Sequence, residues 1–210
     1  NFGQDGTFAG NVTAGGNSDD TGYGNFKYDV PAGFLSLCTG NLPVEDAIDP
    51  AQTSSNYPQK LFSATTYSGN GSASARNIDT GIASDFVWIK RRNADSTDHM
   101  LYDSSRGVGK YLRSNQSNAE DTSGTSLSAF NSDGFQLSDN GTFLNASGGT
   151  YISYNWRANG GSASNSDGAT SSTVQADPSG AFSIVTYTGF AGASGTSTVG
   201  HGMGVAPNMI

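Results

Sequence analysis

The chain has 210 residues, and Gly, Ser, Thr and Asn together fill 96 of them. Because Gly and short polar side chains disfavour the helical backbone, this composition excludes a coiled coil or any other long-helix protein. The net charge of −8 opposes binding to nucleic acid, and no window of about 18 apolar residues exists to cross a bilayer, so we expect neither nucleic acid nor membrane insertion.

The first 40 residues predict little regular structure. Asn1–Gln4 is predicted as a short strand, and residues 5–24 form a loop rich in Gly, Asn and Asp. Residues 26–37 alternate aromatic and polar side chains as far as Pro31, which cannot donate to a ladder. The single Cys38 cannot form an intrachain disulfide, and the proline-rich residues 41–60 are predicted to be a connector.

From residue 61 onwards, strand-like segments alternate with turn dipeptides such as Asp133-Gly134 and Asn140-Gly141. Short strands, frequent turns and the lack of a 3.6-residue period predict an all-β fold, an antiparallel β-sandwich of jelly-roll or lectin-like type with little or no helix. The predicted strands are Leu61–Tyr67, Phe86–Lys90, Met100–Tyr102, Tyr111–Arg113, Ser126–Phe130, Phe135–Leu137, Tyr151–Trp156 and Phe182–Tyr187.

An internal echo indicates a repeat of about 120 residues. LFSATTYSGNGS at 61–72 is answered by AFSIVTYTGFAG at 181–192, so that Phe62 and Tyr67 recur as Phe182 and Tyr187. We therefore predict a first β-sandwich repeat over 61–180 and the start of a second, truncated repeat over 181–210. This organisation predicts a longer parent chain.

Several motifs, in order and spacing, resemble a repeated β-sandwich module of structural proteins in marine tailed phages. The motifs are FKYDVPAGFLSLCTGNLP (26–43), DFVWIKRRN (85–93), LYDSSRG (101–107), FNSDGFQL (130–137) and TYISYNWRANGG (150–161). In that family the module follows a SPRY or concanavalin-like sandwich, which implies that residues 1–40 are the end of such a domain and its junction. The usual module carries a Cys or Trp near the position of Asn155, which is a departure here.

Three aromatic residues are candidates for ligand contact. Trp88 lies on one side of the alternating strand FVWIK, and Tyr154 and Trp156 share one side of YISYNW. Aromatic rings in carbohydrate-binding modules stack on the C–H faces of sugars, whereas aromatic residues in sandwiches commonly fill the core. Both interpretations remain open for these three residues.

Asp103 and Arg106 form a second candidate pair within LYDSSRG. Their spacing suits a buried carboxylate–guanidinium pair, or a cap on the turn backbone by Asp103. Alternatively, both side chains face a pocket for a sugar or an acidic glycan, since Arg suits bidentate contacts with carboxylates.

Nothing in the sequence predicts catalysis, a cofactor or a transition-metal site. The acidic candidates for a glycosidase lie in loop-like segments, and His99 and His201 are more than 100 residues apart outside any HExxH pattern. No GxSxG elbow is present. Ca²⁺ held by Asp-rich loops is an alternative, although no segment has the EF-hand spacing.

The sequence and the resemblance together predict a non-enzymatic virion protein of the tail-fibre or surface-appendage type. We expect it to adhere to host-surface glycan as a homo-oligomer in contact with other virion proteins, at the surface of the extracellular particle. One alternative is a purely architectural capsid-decoration or tail component without a ligand. Another, from a different class, is a polysaccharide depolymerase.

Overall fold

The computed structural model describes residues 13–42, 57–122, 126–158, 161–189 and 195–210. The chain divides into two compact units, Asn1–Ser54 and Ser55–Ile210. The predicted strand Asn1–Gln4 and most of the predicted connector lie outside the described residues.

In the first unit, the described residues 13–42 hold an isolated bridge between Asn17 and Phe26 and a 3₁₀ turn at Thr39–Asn41, but no strand. A buried carboxylate organises this segment. Asp19 accepts six hydrogen bonds, from backbone or side-chain donors of the four residues Thr21, Tyr23, Ser36 and Asn41. Burial raises the pKa of Asp19, but the hydrogen bonds from Ser36, Tyr23 and Thr21 outweigh it and leave that pKa well below its ordinary value.

The second unit is an all-β, antiparallel sandwich, as the composition predicts. Its helix α1 spans a single turn, Pro58–Leu61. Twelve strands follow in the described part of this unit: β1 Phe62–Ser68, β2 Arg76–Asp79, β3 Phe86–Arg91, β4 Met100–Asp103, β5 Lys110–Arg113, β6 Asp121–Thr122, β7 Leu127–Asn131, β8 Gly134–Leu137, β9 Thr150–Trp156, β10 Ala163–Asn165, β11 Ser172–Ala176 and β12 Ser183–Tyr187.

The strands form three sheets. The largest has the order β1-β9-β3-β4-β5-β6, the second is β2-β8-β7, and the third is β10-β11-β12. The first two sheets pack face to face over one hydrophobic core, whose buried side chains come from both sheets and from Leu144. At the β7–β8 hairpin, Gly134 is required because a Cβ there would lie 2.0 Å from the carbonyl oxygen of Ile78.

The third sheet lies against one end of the six-stranded sheet. Gln175 in β11 donates from Nε2 to Oδ1 of Asp85 at 2.9 Å and accepts from the hydroxyls of Ser104 and Ser105. The Asp85 carboxylate also accepts from the backbone N–H of Ala158 at 2.8 Å. This network ties residues 172–187 to the loops at the ends of β3, β4 and β9.

The position of β12 bears on the predicted repeat. Phe182 and β12 correspond in the sequence echo to Phe62 and β1, and β12 pairs with β11 within the same compact unit as the sandwich. The division into a repeat over 61–180 and a second one from 181 stays a prediction.

Candidate functional site

The outer face of the six-stranded sheet carries a concentration of aromatic side chains. In β3, Val87 and Ile89 are fully buried in the core, so the alternation turns Trp88 to the opposite face. The same alternation in β9 places Tyr154 and Trp156 outward. Two cross-strand rows result: Trp88 lies beside Tyr154, and Trp156 lies between residues of β3 and β1.

The row around Trp156 is covered by neighbouring rings. The ring of Phe62 lies 4.9 Å from that of Trp156, and the ring of Phe86 lies 5.4 Å from it. Phe182, which precedes β12, stacks on Trp156 at 5.8 Å and 21°. Trp156 therefore joins the third sheet to the sandwich, and the packing interpretation describes its contacts.

The row around Trp88 has fewer ring contacts, since Trp88 touches only the rings of His99 and Tyr154 among the described residues. Trp88 and Tyr154 make an edge-to-face contact at 6.1 Å, and Tyr154 stacks on Phe62 at 6.5 Å and 13°. Trp88 and Tyr154 are half-buried, whereas Phe62 is 40% exposed. We call these three residues the aromatic platform. Leu101 and Leu112, the latter 38% exposed, extend its apolar surface across β4 and β5.

A histidine fixes the orientation of the platform indole. Trp88 Nε1 donates a hydrogen bond to His99 Nδ1 at 2.9 Å, so the imidazole accepts at Nδ1 and carries its proton at Nε2. Burial and the neighbouring Lys90 ammonium lower the pKa of His99, against the opposing charge of Asp98. His99 is therefore neutral at neutral pH and keeps the acceptor that Trp88 requires.

Lys90 supplies the positive charge beside the platform. Its Nζ donates to the backbone oxygen of Thr97 at 2.7 Å and to the Thr97 hydroxyl at 2.6 Å. An ammonium group has three donors, so these two bonds leave one N–H for a further acceptor. The aromatic platform thus has a hydrogen-bond donor at its rim.

The structure places Asp103 at the end of β4 and Arg106 in the turn that follows, and the two side chains contact each other. The Asp103 carboxylate accepts from the backbone N–H of Arg106 at 2.7 Å and forms an ion pair with Arg106 Nε. Arg106 Nη2 donates to the oxygen of Leu101 at 3.1 Å, and Nη1 lies 3.5 Å from Glu120 Oε2. These contacts fit the structural interpretation of the pair, since they close the turn.

The described residues contain no cluster of three or more His, Cys, Asp or Glu side chains that could hold a metal ion. A cavity of about 60 Å³, lined by Met100, Tyr102, Asp139 and neighbours, lies at the core and is far smaller than a small-molecule pocket. None of the helices described is long and apolar enough to cross a membrane.

Sequence reasoning identified Trp88 and Tyr154 but not their partners Phe62 and His99. The signal for Phe62 was its recurrence as Phe182 in the echo, since both rings contact Trp156. No sequence pattern pairs His99 with Trp88, because their contact depends on the pairing of β3 with β4.

The model of a family described as a domain of unknown function, DUF7483, matches residues 57–210. The matched region contains α1, all twelve strands and the aromatic platform. The chain matches no curated protein and no solved structure.

Proposed function

We propose that this chain, which belongs to the DUF7483 family, is a non-catalytic adhesive module of a phage virion that binds host-surface glycan through its aromatic platform. The observation that carries the proposal is the outward group of three rings, in which Trp88 contacts Tyr154 and Tyr154 contacts Phe62 diagonally across β9 and β1. Three neighbouring aromatic rings on one face of a sheet offer a surface on which the C–H faces of successive sugar residues can stack.

The rim of the platform suits a polar ligand. The free N–H of Lys90 can donate to a sugar hydroxyl or carboxylate, and His99 holds the indole in place. An apolar surface patch rimmed by polar groups is typical of an interaction site. We expect the contact of one module to be weak, and several modules in one particle to adhere firmly through the avidity of simultaneous contacts.

The assignment to a tail fibre or surface appendage rests on the motif resemblance, above all DFVWIKRRN and TYISYNWRANGG, which supply β3, β9 and the platform residues Trp88 and Tyr154. Contact with other virion proteins and a location at the particle surface follow from the same resemblance. The alternative is an architectural component in which a virion protein covers the platform, and the apolar extension at Leu101 and Leu112 favours that alternative.

A glycan array probed with the intact chain and with its Trp88→Ala and Tyr154→Ala variants tests the proposal. We expect saturable binding to a subset of glycans and a loss of about tenfold or more in affinity for each variant, since a lost ring contact of about 1.4 kcal/mol is a factor of ten. Tyr187→Ala is the matched control, because Tyr187 is an aromatic residue 60% exposed outside the platform.

Absence of saturable binding to any glycan would contradict the adhesive proposal and favour the architectural alternative. Release of reducing sugar from a bound glycan would contradict the non-catalytic part and favour a depolymerase. Equal binding by Trp88→Ala and the unaltered chain would show that the ligand site lies elsewhere.

A further inference from the structure

Strand β1 lies at the edge of the six-stranded sheet, and hydrogen bonds at both of its ends show which of its residues bond to β9. Arg157 N donates to Leu61 O at 2.9 Å, and Gly69 N donates to Gly149 O at 2.8 Å. In an antiparallel pair, alternate residues direct both backbone groups to the neighbouring strand. Residues 61, 63, 65, 67 and 69 therefore face β9, and the backbone groups of residues 62, 64, 66 and 68 face away from the sheet.

Among the described residues, hydrogen-bond partners of this outer edge lie only at its two ends. Phe62 N donates to Pro58 O, and Arg76 Nη1 donates to Ser68 O at 2.7 Å. Between them lie the N–H and C=O of Ala64 and Thr66, the C=O of Phe62 and the N–H of Ser68. Within the described ranges no group bonds to these six atoms, and the side chains at 64 and 66 are exposed.

The other edges of the two sandwich sheets are shorter, charged or irregular. At the opposite edge of the same sheet, β6 has two residues, and its Asp121 is paired with Arg113. In the smaller sheet, β2 carries Arg76 and Asp79, and β7 has a register shift between Leu127 and Ala129. Such features block pairing between sheets. Strand β1 has none of them: its seven residues, FSATTYS, contain no charge and no Pro.

We propose that β1 is the interface for a second copy of this chain, pairing antiparallel with β1 of the other copy about a two-fold axis at Thr65. Ala64 of one copy then lies opposite Thr66 of the other, and Phe62 lies opposite Ser68. Each outward N–H meets an outward C=O, so the edge is complementary to itself. A two-fold contact of this kind closes on itself and yields a dimer.

The pairing would join two six-stranded sheets into one sheet of twelve strands. The two aromatic platforms, which begin on β1 itself with Phe62, would then lie on the same face of one continuous sheet. This inference does not depend on the ligand of the platform, because the dimer follows from backbone groups alone.

Sedimentation equilibrium of the intact chain tests the inference by measuring its molecular mass in solution, which we expect to be twice the chain mass of 21.6 kDa. Thr66→Pro removes an outward N–H but no bond to β9, so it should yield a folded monomer. Val185→Pro is the matched control. Asp177 N donates to Phe182 O, so Phe182 and every second residue after it bond to β11. The backbone groups of Val185 therefore point away from β11, at the outer edge of the third sheet. Val185→Pro should therefore leave the dimer intact.

A cysteine variant tests the register independently of any effect of proline on folding. In a Cys38→Ser background, Thr65→Cys places two thiols opposite each other at a non-hydrogen-bonded pair, about 4.5 Å apart between Cα atoms and within reach of a disulfide. We expect a disulfide-linked dimer on mild oxidation, whereas Ser63→Cys, which lies opposite Tyr67, should give none.

A monomer at every concentration would overturn the inference, as would a dimer in which Thr65→Cys fails to cross-link. Assemblies that grow with concentration and are abolished by Val185→Pro would place the contact at β12 and overturn it as well. A dimer without glycan binding would leave this inference standing while removing the adhesive proposal.

Discussion

Replacement of Asn145 by Ala should strongly destabilise the second unit. Asn145 is fully buried between β8 and β9. Its Nδ2 lies 2.8, 3.0 and 2.8 Å from Asn70 Oδ1, Ser72 O and Asp139 O, three acceptors that share its two N–H groups. Its Oδ1 accepts from Asn70 N at 3.1 Å and from Arg76 Nη1 at 2.9 Å.

The magnitude follows from the hydrogen bonds that the side chain makes, two accepted by Oδ1 and two N–H groups shared among three acceptors. A typical hydrogen bond contributes about 1 kcal/mol net, and a buried partner left unpaired costs about 1–3 kcal/mol. Asn70 and Ser72 belong to a loop with exposed residues and can regain water, which lowers the sum. We therefore expect Asn145→Ala to reduce the free energy of unfolding by about 3 kcal/mol, a large share of the 5–15 kcal/mol typical of a domain.

Urea unfolding followed by tryptophan fluorescence measures this loss. With a slope of about 2–3 kcal/mol per molar urea, the midpoint should fall by about 1 M or more. Asn140→Ala is the control, because Asn140 is an exposed residue of the same segment and should change the free energy of unfolding by less than about 0.5 kcal/mol. A loss for Asn145→Ala no larger than that of the control would refute the assignment of Asn145 as the centre of this loop network.

Two further predictions concern the aromatic face. Trp156→Ala should lower the free energy of unfolding by about 3 kcal/mol, because Trp156 is packed among three Phe rings. Trp88→Ala should lower it by about 1 kcal/mol, because Trp88 has fewer ring contacts. Equal losses in urea titrations would contradict this difference. The second prediction concerns pH. Because burial and Lys90 lower the pKa of His99 in the folded chain, the unfolded chain binds a proton at His99 more readily. The stability that neutral His99 contributes is therefore complete above the ordinary histidine pKa of 6.5 and is lost as the pH falls below 6.5. Protonation of His99 at Nδ1 also removes the acceptor of the Trp88 N–H. In a Trp156→Phe background, the fluorescence emission of Trp88 should therefore shift as the pH falls below 6.5, and the shift should be absent when His99→Gln is added. A transition above pH 6.5 would contradict the assignment.

The strands that sequence patterning predicted are those with apolar residues at every second position. All eight appear in the structure with bounds shifted by a residue or so, because a two-residue period fixes which side chains enter the core. The missed strands lack that pattern. In β2 a single buried side chain, Ile78, stands among Arg, Asn and Asp, and β10 has no large apolar residue. Pairing with a neighbouring strand determines these elements.

The same periodicity explains why the candidate site was only half predictable. Alternation placed Trp88, Tyr154 and Trp156 on the outer face, but all three have the same local pattern and nothing local distinguishes their environments. The difference arises from Phe182, 26 residues beyond Trp156, which lies over one end of the face in a sheet that the hydrogen bond from Gln175 to Asp85 ties to the sandwich.

The rings that cover Trp156 distinguish its row from the row of Trp88 and Tyr154. Because Phe182 and Phe86 surround Trp156, that ring has packing partners on the face where the sheet would otherwise be bare. Trp88 lies two residues further along β3, opposite Tyr154 of β9 and out of contact with the ring of Phe182, and its polar N–H donates to His99. An indole whose hydrogen bond is already made within the protein presents its ring to a ligand without the cost of leaving its own donor unpaired. The hydrogen bond from Trp88 to His99 is therefore the feature that makes this row, and not the row of Trp156, suited to binding.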